Sequence, residues 1–180
     1  VVLREQKEMK LKGNLYHNTQ IAFTYNTNHI EGSTLTEEQT RYIFETNTIL
    51  FEDKTVANVN DIIATTNHFK LIDYMIDVAN DELTEDMIKK FHKILKTGTS
   101  DSQKEWFNVG EYKQLPNSVG DMKTVAPKDV QKNMQKLLDN PNWSLKKAVS
   151  KMEGKKNIII KEITAFGKAK KVPRSKMRDD

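Results

Sequence analysis

The sequence predicts an all-α domain that carries one short β-hairpin. Apolar residues recur mainly at steps of three and four along most of the chain, which is the spacing of one helix face. Helix start and stop signals flank these stretches, and one turn-rich stretch interrupts them. Hydrophobic residues make up 37% of the 180 residues and charged residues 30%, so we expect a buried core under a strongly solvated surface.

Four helices are predicted from apolar spacing and helix-end signals. Thr36-Glu37-Glu38-Gln39 has the form of a capping box, in which the Thr36 hydroxyl accepts a backbone N–H and Gln39 reaches back. Acidic residues after Thr84, a glycine stop at Gly98 and the helix-starting Pro127 mark three other ends. The predicted helices span 36–51, 59–79, 84–97 and 127–139.

The turn-rich stretch covers residues 112–126. It contains Pro116-Asn117 and Gly120-Asp121, which are both turn signals. The short flanking pieces Tyr112–Leu115 and Lys123–Ala126 are predicted to pair as a hairpin. Because an isolated hairpin is marginal in water, we expect it to lie against the helices.

Positive charge is concentrated in the C-terminal part of the chain. Residues 144–180 hold 12 Lys or Arg against 4 Asp or Glu, whereas residues 1–143 hold 17 against 21. We therefore expect a helical domain over 1–140 and a basic segment over 141–180, poorly ordered over 166–180. A solvated tail is favoured over a nucleic-acid-binding one, since Phe166 is the only aromatic residue within 144–180 that could stack on a base.

Several classes of protein are excluded by composition. The chain has no cysteine, which excludes disulfides and thiolate zinc sites. The first ten residues, VVLREQKEMK, lack the apolar core of a signal peptide, and no apolar run is long enough to cross a bilayer. We expect a cytoplasmic protein without a membrane partner.

Three separated motifs together resemble a known family. The first is Thr27-Asn28-His29-Ile30-Glu31-Gly32, and the second is Phe91-His92-Lys93-Ile94-Leu95. The third runs from Gly110-Glu111-Tyr112-Lys113 through Val119-Gly120 to Thr124-Val125-Ala126-Pro127. In this order the three motifs resemble the Fic (Fido) domain family. The first resembles its N-terminal inhibitory-helix motif, the second resembles the helix ahead of its active site, and the third resembles its target-binding flap.

The resemblance implies a chemistry. Fic proteins bind ATP with Mg²⁺ and transfer AMP to a hydroxyl side chain of a target protein. The resemblance assigns Thr27, Glu31 and Gly32 to the inhibitory motif. In the family, the glutamate at the position of Glu31 forms an ion pair with an arginine that otherwise holds the ATP γ-phosphate. From the residues alone, Thr27 is interpreted as a cap or helix-stabilising hydroxyl, Glu31 alternatively as a solvated carboxylate at a helix end, and Gly32 as the helix stop.

The same resemblance assigns a partner-binding role to the hairpin. In the family, the flap holds the target protein by strand-like backbone pairing. The alternative is a plain surface hairpin that covers the core. Trp106, Phe107 and Trp143 are interpreted as core or domain-edge packing residues. The residues assigned to the flap are Lys113, Val119, Gly120, Thr124 and Val125.

The catalytic loop of the family, His-Pro-Phe-x-x-Gly-Asn-Gly-Arg, is not found in this sequence. The four histidines, at 17, 29, 68 and 92, all precede the position of that loop. We therefore assign no catalytic or metal-binding residue, and ATP and Mg²⁺ are implied by the family alone.

Three hypotheses follow. The first is a Fic-type adenylyltransferase autoinhibited through Glu31 and truncated or altered before the catalytic loop. The second is a non-catalytic protein-interaction module that binds a protein partner, a parent Fic protein or an oligomer of itself. The third is a nucleic-acid binder that uses the basic tail.

Overall fold

A computed structural model describes residues 2–50, 56–119 and 121–139 of the chain. Within these residues the all-α fold with one short hairpin is confirmed. The expected boundary at 140 and the basic segment 141–180 lie outside the described residues. The elements, in order, are α1 (Val2–Met9), α2 (Leu15–Ile30), α3 (Glu37–Thr46), α4 (Val59–Asp77), α5 (Glu85–Lys96), a 3₁₀ helix (Ser100–Gln103), β1 (Ser118–Val119), β2 (Met122–Lys123) and α6 (Pro127–Leu138).

Helix α4 is the centre of the apolar core. It supplies residues to three buried clusters, which join it to α1 and α2, to α5, and to α3. Burial of these side chains against one helix stabilises the arrangement of the others. The buried members are Leu3, Tyr16, Ile72, Ile76 and Ala79 in the first cluster, Leu71, Met75 and Met87 in the second, and Leu35, Ile43 and Phe69 in the third.

A side chain of α4 also satisfies the end of α5. The Asn67 amide donates to the carbonyl oxygens of Leu95 and Thr97, at 3.0 and 2.8 Å. These carbonyls belong to the group that a helix leaves without an internal partner at its C-terminus. The junction between α5 and the 3₁₀ helix is therefore held by tertiary contact with α4.

The capping box at the start of α3 is confirmed. The Gln39 N–H donates to the Thr36 hydroxyl and the Thr36 N–H to the Gln39 side chain, both at 3.0 Å. The predicted end at residue 51 is wrong, because α3 stops at Thr46. Asn47 adopts a left-handed conformation with φ +54°, which asparagine tolerates better than most residues, and Ile49 packs on the third cluster from the following loop.

The helices predicted over 59–79, 84–97 and 127–139 are confirmed as α4, α5 and α6, with ends that differ by at most two residues. Thr84 caps α5 by accepting the N–H of Met87 at 3.2 Å, and Gly98 takes the left-handed φ of +76° just beyond its end. Helices α1 and α2 were not predicted by apolar spacing.

The hairpin within 112–126 is confirmed, but the predicted strands are wrong. Ser118 pairs with Lys123 and Val119 with Met122 in an antiparallel register. The Thr124 N–H already donates to the Asn117 carbonyl at 3.2 Å. The ladder therefore closes at Asn117, and the predicted strand Tyr112–Leu115 stays outside it.

Candidate functional site

The first part of the candidate site is the C-terminus of α2. The Ser33 N–H donates to the Asn28 carbonyl at 2.9 Å, and the Gly32 N–H donates to the His29 carbonyl at 3.0 Å. With Gly32 at φ +96°, these two bonds form a Schellman motif. Gly32 thus ends the helix, as the sequence predicted, and the chain reverses immediately after Glu31.

Glu31 is exposed and lines a small cavity of about 170 Å³, which we call the Glu31 cavity. The cavity lies between the end of α2, the first turns of α4 and the junction of α5 with the 3₁₀ helix. Its lining includes the carboxylates of Glu31, Asp61 and Asp101 and the ammonium of Lys96. Carboxylates therefore exceed ammonium groups in this lining, and one of them, Asp101, is paired with both Lys96 and Lys104.

Charged side chains that line the Glu31 cavity form ion pairs and hydrogen bonds with neighbouring residues. The Lys96 ammonium lies 3.0 Å from Asp101 Oδ2, and Asp61 Oδ2 accepts the Thr34 N–H at 2.8 Å. Hydrogen bonds from Lys104 and Lys96 hold the pKa of Asp101 below its usual value. Asp101 therefore stays ionised well below neutral pH.

Thr27 lies inside the protein, one helical turn before Glu31. Its side chain is buried, and its hydroxyl has no hydrogen-bond partner among the described residues. The interpretation of Thr27 as a capping hydroxyl is therefore wrong. The neighbouring Asn28 is also buried, and its amide donates to the Thr65 hydroxyl of α4 at 3.1 Å, which fixes the end of α2 against α4.

The second part of the candidate site is the base of the hairpin. The Lys113 ammonium donates to Asn117 Oδ1 at 2.6 Å and also to the Thr124 hydroxyl. The Thr124 hydroxyl in turn lies 2.9 Å from the Asn117 carbonyl oxygen. Two residues assigned to the flap, Lys113 and Thr124, therefore meet at Asn117, which the sequence analysis treated only as a turn residue.

The tip and flanks of the hairpin expose apolar side chains. Met122 is 72% exposed, and Leu115 and Val125 are also exposed, whereas Val119 is half-buried. Gly120 lies outside the described residues. Trp106, which precedes the hairpin in the chain, is 56% exposed and therefore not a core residue, although its ring meets that of Phe107 edge to face at 6.0 Å. Trp143 lies outside the described residues.

Helix α5 anchors the segment that leads into the hairpin, which contains Gly110 and Glu111 and which we call the approach to the hairpin. The Gly110 N–H donates to His92 Nδ1 at 3.0 Å, and Glu111 Oε2 lies 3.0 Å from the Lys89 ammonium. Gly110 has φ +83°, and a Cβ there would lie 3.0 Å from Lys93 Cβ, so glycine is required at this close approach. The contact between His92 and Gly110 was not predicted from the sequence, although both residues lie in the motifs that resemble the Fic family.

The two parts of the site are both attached to α5. Lys96 lines the Glu31 cavity from the last turn of α5, and His92, one turn earlier, holds the approach to the hairpin. Burial and, second, the charge of Lys96 hold the pKa of His92 below its ordinary value. At neutral pH the His92 ring is therefore uncharged and able to accept the Gly110 N–H.

Across 2–50, 56–119 and 121–139, no group of three His, Asp or Glu residues is arranged to hold a metal ion. The carboxylates of the Glu31 cavity also disfavour a phosphate by like charge.

A larger crevice of about 510 Å³ lies between α1, α2, α3 and α4. Its aromatic floor includes Tyr16 and Phe44, whose rings meet edge to face at 6.1 Å. The charged groups around it are largely occupied with one another, which leaves few of them to recognise a ligand. The pairs are Lys7 with Asp77 and Lys12 with Glu45, both at 2.6 Å, His17 with Glu45 at 3.0 Å, and the Tyr16 hydroxyl with Asp73 at 2.6 Å.

None of the described helices combines the length and apolar character that crossing a membrane requires.

Comparison with known proteins identifies the fold. No protein-family model matches the sequence, and no curated protein matches it. Among solved structures, the chain is similar to a Fic domain containing signaling protein from Bacteroides thetaiotaomicron, with 28% sequence identity and a TM-score of 0.58. The match covers 69% of this chain and 46% of that protein, so this chain spans less than half of its length. The chain therefore has a Fic-like fold.

Proposed function

We propose that this chain is part of a Fic-type protein adenylyltransferase, which transfers AMP from ATP to a hydroxyl of a target protein and is restrained through Glu31. The observation that carries the proposal is the likeness to a Fic domain structure at 28% identity over 69% of the chain. The three sequence motifs support it, since they lie on α2, on α5 and around the hairpin of the same fold.

The geometry at the end of α2 supports an inhibitory role for Glu31. The Schellman turn leaves its carboxylate exposed beside a cavity whose lining is net negative. Such a cavity suits a guanidinium, and a carboxylate forms strong charge-assisted hydrogen bonds with one. An arginine engaged in this way is not available to the γ-phosphate of ATP, so the productive nucleotide complex is disfavoured.

The hairpin supports a role in holding the target. Its two-residue strands pair with each other, and the Lys113–Asn117–Thr124 contacts fix its base. A strand edge offers backbone N–H and C=O groups to an extended peptide, and the exposed Met122 and Val125 offer apolar contacts for its side chains.

We expect no AMP transfer by the 180-residue chain itself, because the loop that carries the family's base and phosphate-binding glycines is not in its sequence. Incubation with ATP labelled at the α-phosphate, followed by gel autoradiography, measures this directly. Strong self-labelling that disappears on changing a single residue within 1–140 would contradict this expectation and place the chemistry within those residues instead of in the missing loop.

The role of Glu31 is tested in a chimera that restores the loop. Residues 1–139 are joined to the part of the Bacteroides thetaiotaomicron Fic protein that follows its matched region. We expect Glu31→Gly to raise AMP transfer by about tenfold to a hundredfold, since a charged hydrogen bond contributes roughly 1.5–3 kcal/mol and each 1.4 kcal/mol is a factor of ten. The rate of label incorporation into protein is the measurement.

Glu31→Gln is the matched control, because it keeps the size and helix propensity of the side chain and removes its charge. Activation by both substitutions supports inhibition by charge, whereas activation by Gly alone indicates disruption of the helix end. Equal rates for all three chimeras would reduce Glu31 to a helix-end residue. A folded chimera that is inactive in all three forms would count against the adenylyltransferase itself.

The second candidate is a non-catalytic protein-interaction module, and the exposed apolar side chains of the hairpin favour it. Self-association of the 180-residue chain, measured by analytical ultracentrifugation, is then expected to weaken on Met122→Glu and to persist on the neighbouring Asp121→Asn. A monomer at all concentrations would exclude self-association as the function of this surface.

A further inference from the structure

The contact between His92 and Gly110 joins the approach of the hairpin to α5. His92 is half-buried, with its ring centroid 5.5 Å from that of Phe107 and its Nδ1 3.0 Å from the Gly110 nitrogen. The left-handed φ of Gly110 and its close fit against Lys93 leave little freedom at this point. The chain entering the hairpin is therefore held to α5 by the His92 acceptor, beside the Glu111–Lys89 ion pair.

That acceptor exists in only one protonation state of the ring. Nδ1 accepts an N–H only when it carries no proton, which requires the neutral tautomer with the hydrogen on Nε2. Protonation turns both ring nitrogens into donors, so Nδ1 and the Gly110 N–H would then oppose each other. The loss is larger than that of a simple hydrogen bond, because a partly buried N–H is left facing a cation.

The surrounding charges act on the ring from several elements. On α5 itself, Lys89 and Lys96 lie one turn before and one turn after His92, and each is paired with a carboxylate. The charge of Lys96 acts on His92 and also on His68 of α4, which is a second group that titrates in the acid range. The paired carboxylates are Glu85 of α5 and Glu111 of the hairpin approach for Lys89, and Asp101 of the 3₁₀ helix for Lys96.

We propose that His92 is a positioning residue, which holds the approach to the hairpin against α5 while its ring is neutral and releases it when the ring is protonated. The Glu111–Lys89 ion pair, in which Glu111 is exposed, remains as the weaker tether after release. The pH-dependent anchor does not require the proposed function. Only its consequence rests on that function, namely that release at low pH disorganises the surface that would hold a target.

Amide hydrogen exchange of the complete 180-residue chain tests the anchor without nucleotide or target. The protection factor of the Gly110 amide, corrected for the intrinsic exchange rate at each pH, is measured by NMR between pH 8 and pH 5. We expect it to fall by at least about fivefold over this range in the wild type, which is the equilibrium change of one hydrogen bond of about 1 kcal/mol.

Two substitutions at His92 separate the acceptor from its titration. His92→Asn offers an amide oxygen near the position of Nδ1 that does not titrate, so Gly110 protection should persist without pH dependence. His92→Leu keeps an apolar side chain and removes the acceptor, so protection should be low at every pH. His29→Leu, at an exposed histidine of α2, is the matched control and should leave the wild-type profile of Gly110 unchanged.

Wild-type protection that does not change between pH 8 and pH 5 overturns the proposal, and so does a His92→Asn profile with the same pH dependence as the wild type. If His92→Leu fails to fold, the comparison of wild type with His92→Asn still decides. A failure to observe AMP transfer in the chimera leaves this result unaffected, which keeps the two proposals distinguishable.

Discussion

At the end of α2, Gly32 ends the helix immediately after Glu31 by adopting a left-handed conformation. We expect Gly32→Ala to lower the free energy of unfolding by about 1 kcal/mol, because a left-handed residue with a Cβ costs roughly that much. Gly32→Asn should lose less, since asparagine tolerates this conformation. Urea unfolding followed by circular dichroism measures both variants. An alanine variant as stable as the wild type would mean that the Schellman turn does not hold the end of the helix.

Single residues differ in how far the sequence predicts their roles. Gly32 was predicted as the helix stop because glycine at the end of a helix has a local, backbone reason to be there. Thr27 was interpreted wrongly, because a threonine one turn from a helix end has the same local pattern whether its hydroxyl is bonded or buried. The His92–Gly110 contact joins residues 18 apart, so only the packing of the loop on α5 reveals it.

At the scale of elements, α2 is unusual because its buried face is mostly polar. Such a face gives no apolar periodicity, so apolar spacing predicted α3 to α6 but neither α1 nor α2, and only the C-terminal end of α2 was expected, from the family resemblance. The one buried residue of α1 is Leu3. The hairpin strands were misplaced because turn signals at Pro116-Asn117 and Gly120-Asp121 allow more than one register. The buried polar residues of α2 are His17, Gln20, Thr24, Thr27 and Asn28.

Two matched substitutions test what this polar face contributes. Thr24 and Thr65 are both fully buried, but only the Thr65 hydroxyl has a partner, the Asn28 amide, whereas the Thr24 hydroxyl has none among the described residues. We expect Thr24→Val to raise the free energy of unfolding by about 1 kcal/mol and Thr65→Val to lower it by about 1–3 kcal/mol. Equal effects in urea unfolding would contradict this assignment of the hydrogen bonds.

At the scale of the whole molecule, stability should fall in mild acid. Burial and, second, the charge of Lys96 lower the pKa of His68 to about 4, against about 6.5 in an unfolded chain. The unfolded state therefore binds protons first, so the stabilising contribution is complete above pH ~6.5 and is lost as the pH falls through about 4. The limiting loss is on the order of 3 kcal/mol, since a tenfold difference in proton affinity corresponds to about 1.4 kcal/mol.

Urea midpoints between pH 7.5 and pH 5 measure this loss in a range where carboxylates contribute little. His68→Gln should flatten the profile, although His92 adds a smaller change of the same sign. His29→Gln, at an exposed position, should keep the wild-type slope. A His68→Gln profile as steep as that of the wild type would show that this residue is not the group that titrates.

The Asn67 side chain has a consequence for the order of events in folding. The last turn of α5 finds the donor for its Leu95 and Thr97 carbonyls on a helix 28 and 30 residues away in sequence, not in its own neighbourhood. The Leu95 and Thr97 carbonyls therefore gain this hydrogen-bond donor only when α4 and α5 dock, and they lose it when the two helices separate. Lys96 lies in the same turn, so its place in the lining of the Glu31 cavity depends on the docking of α4 and α5.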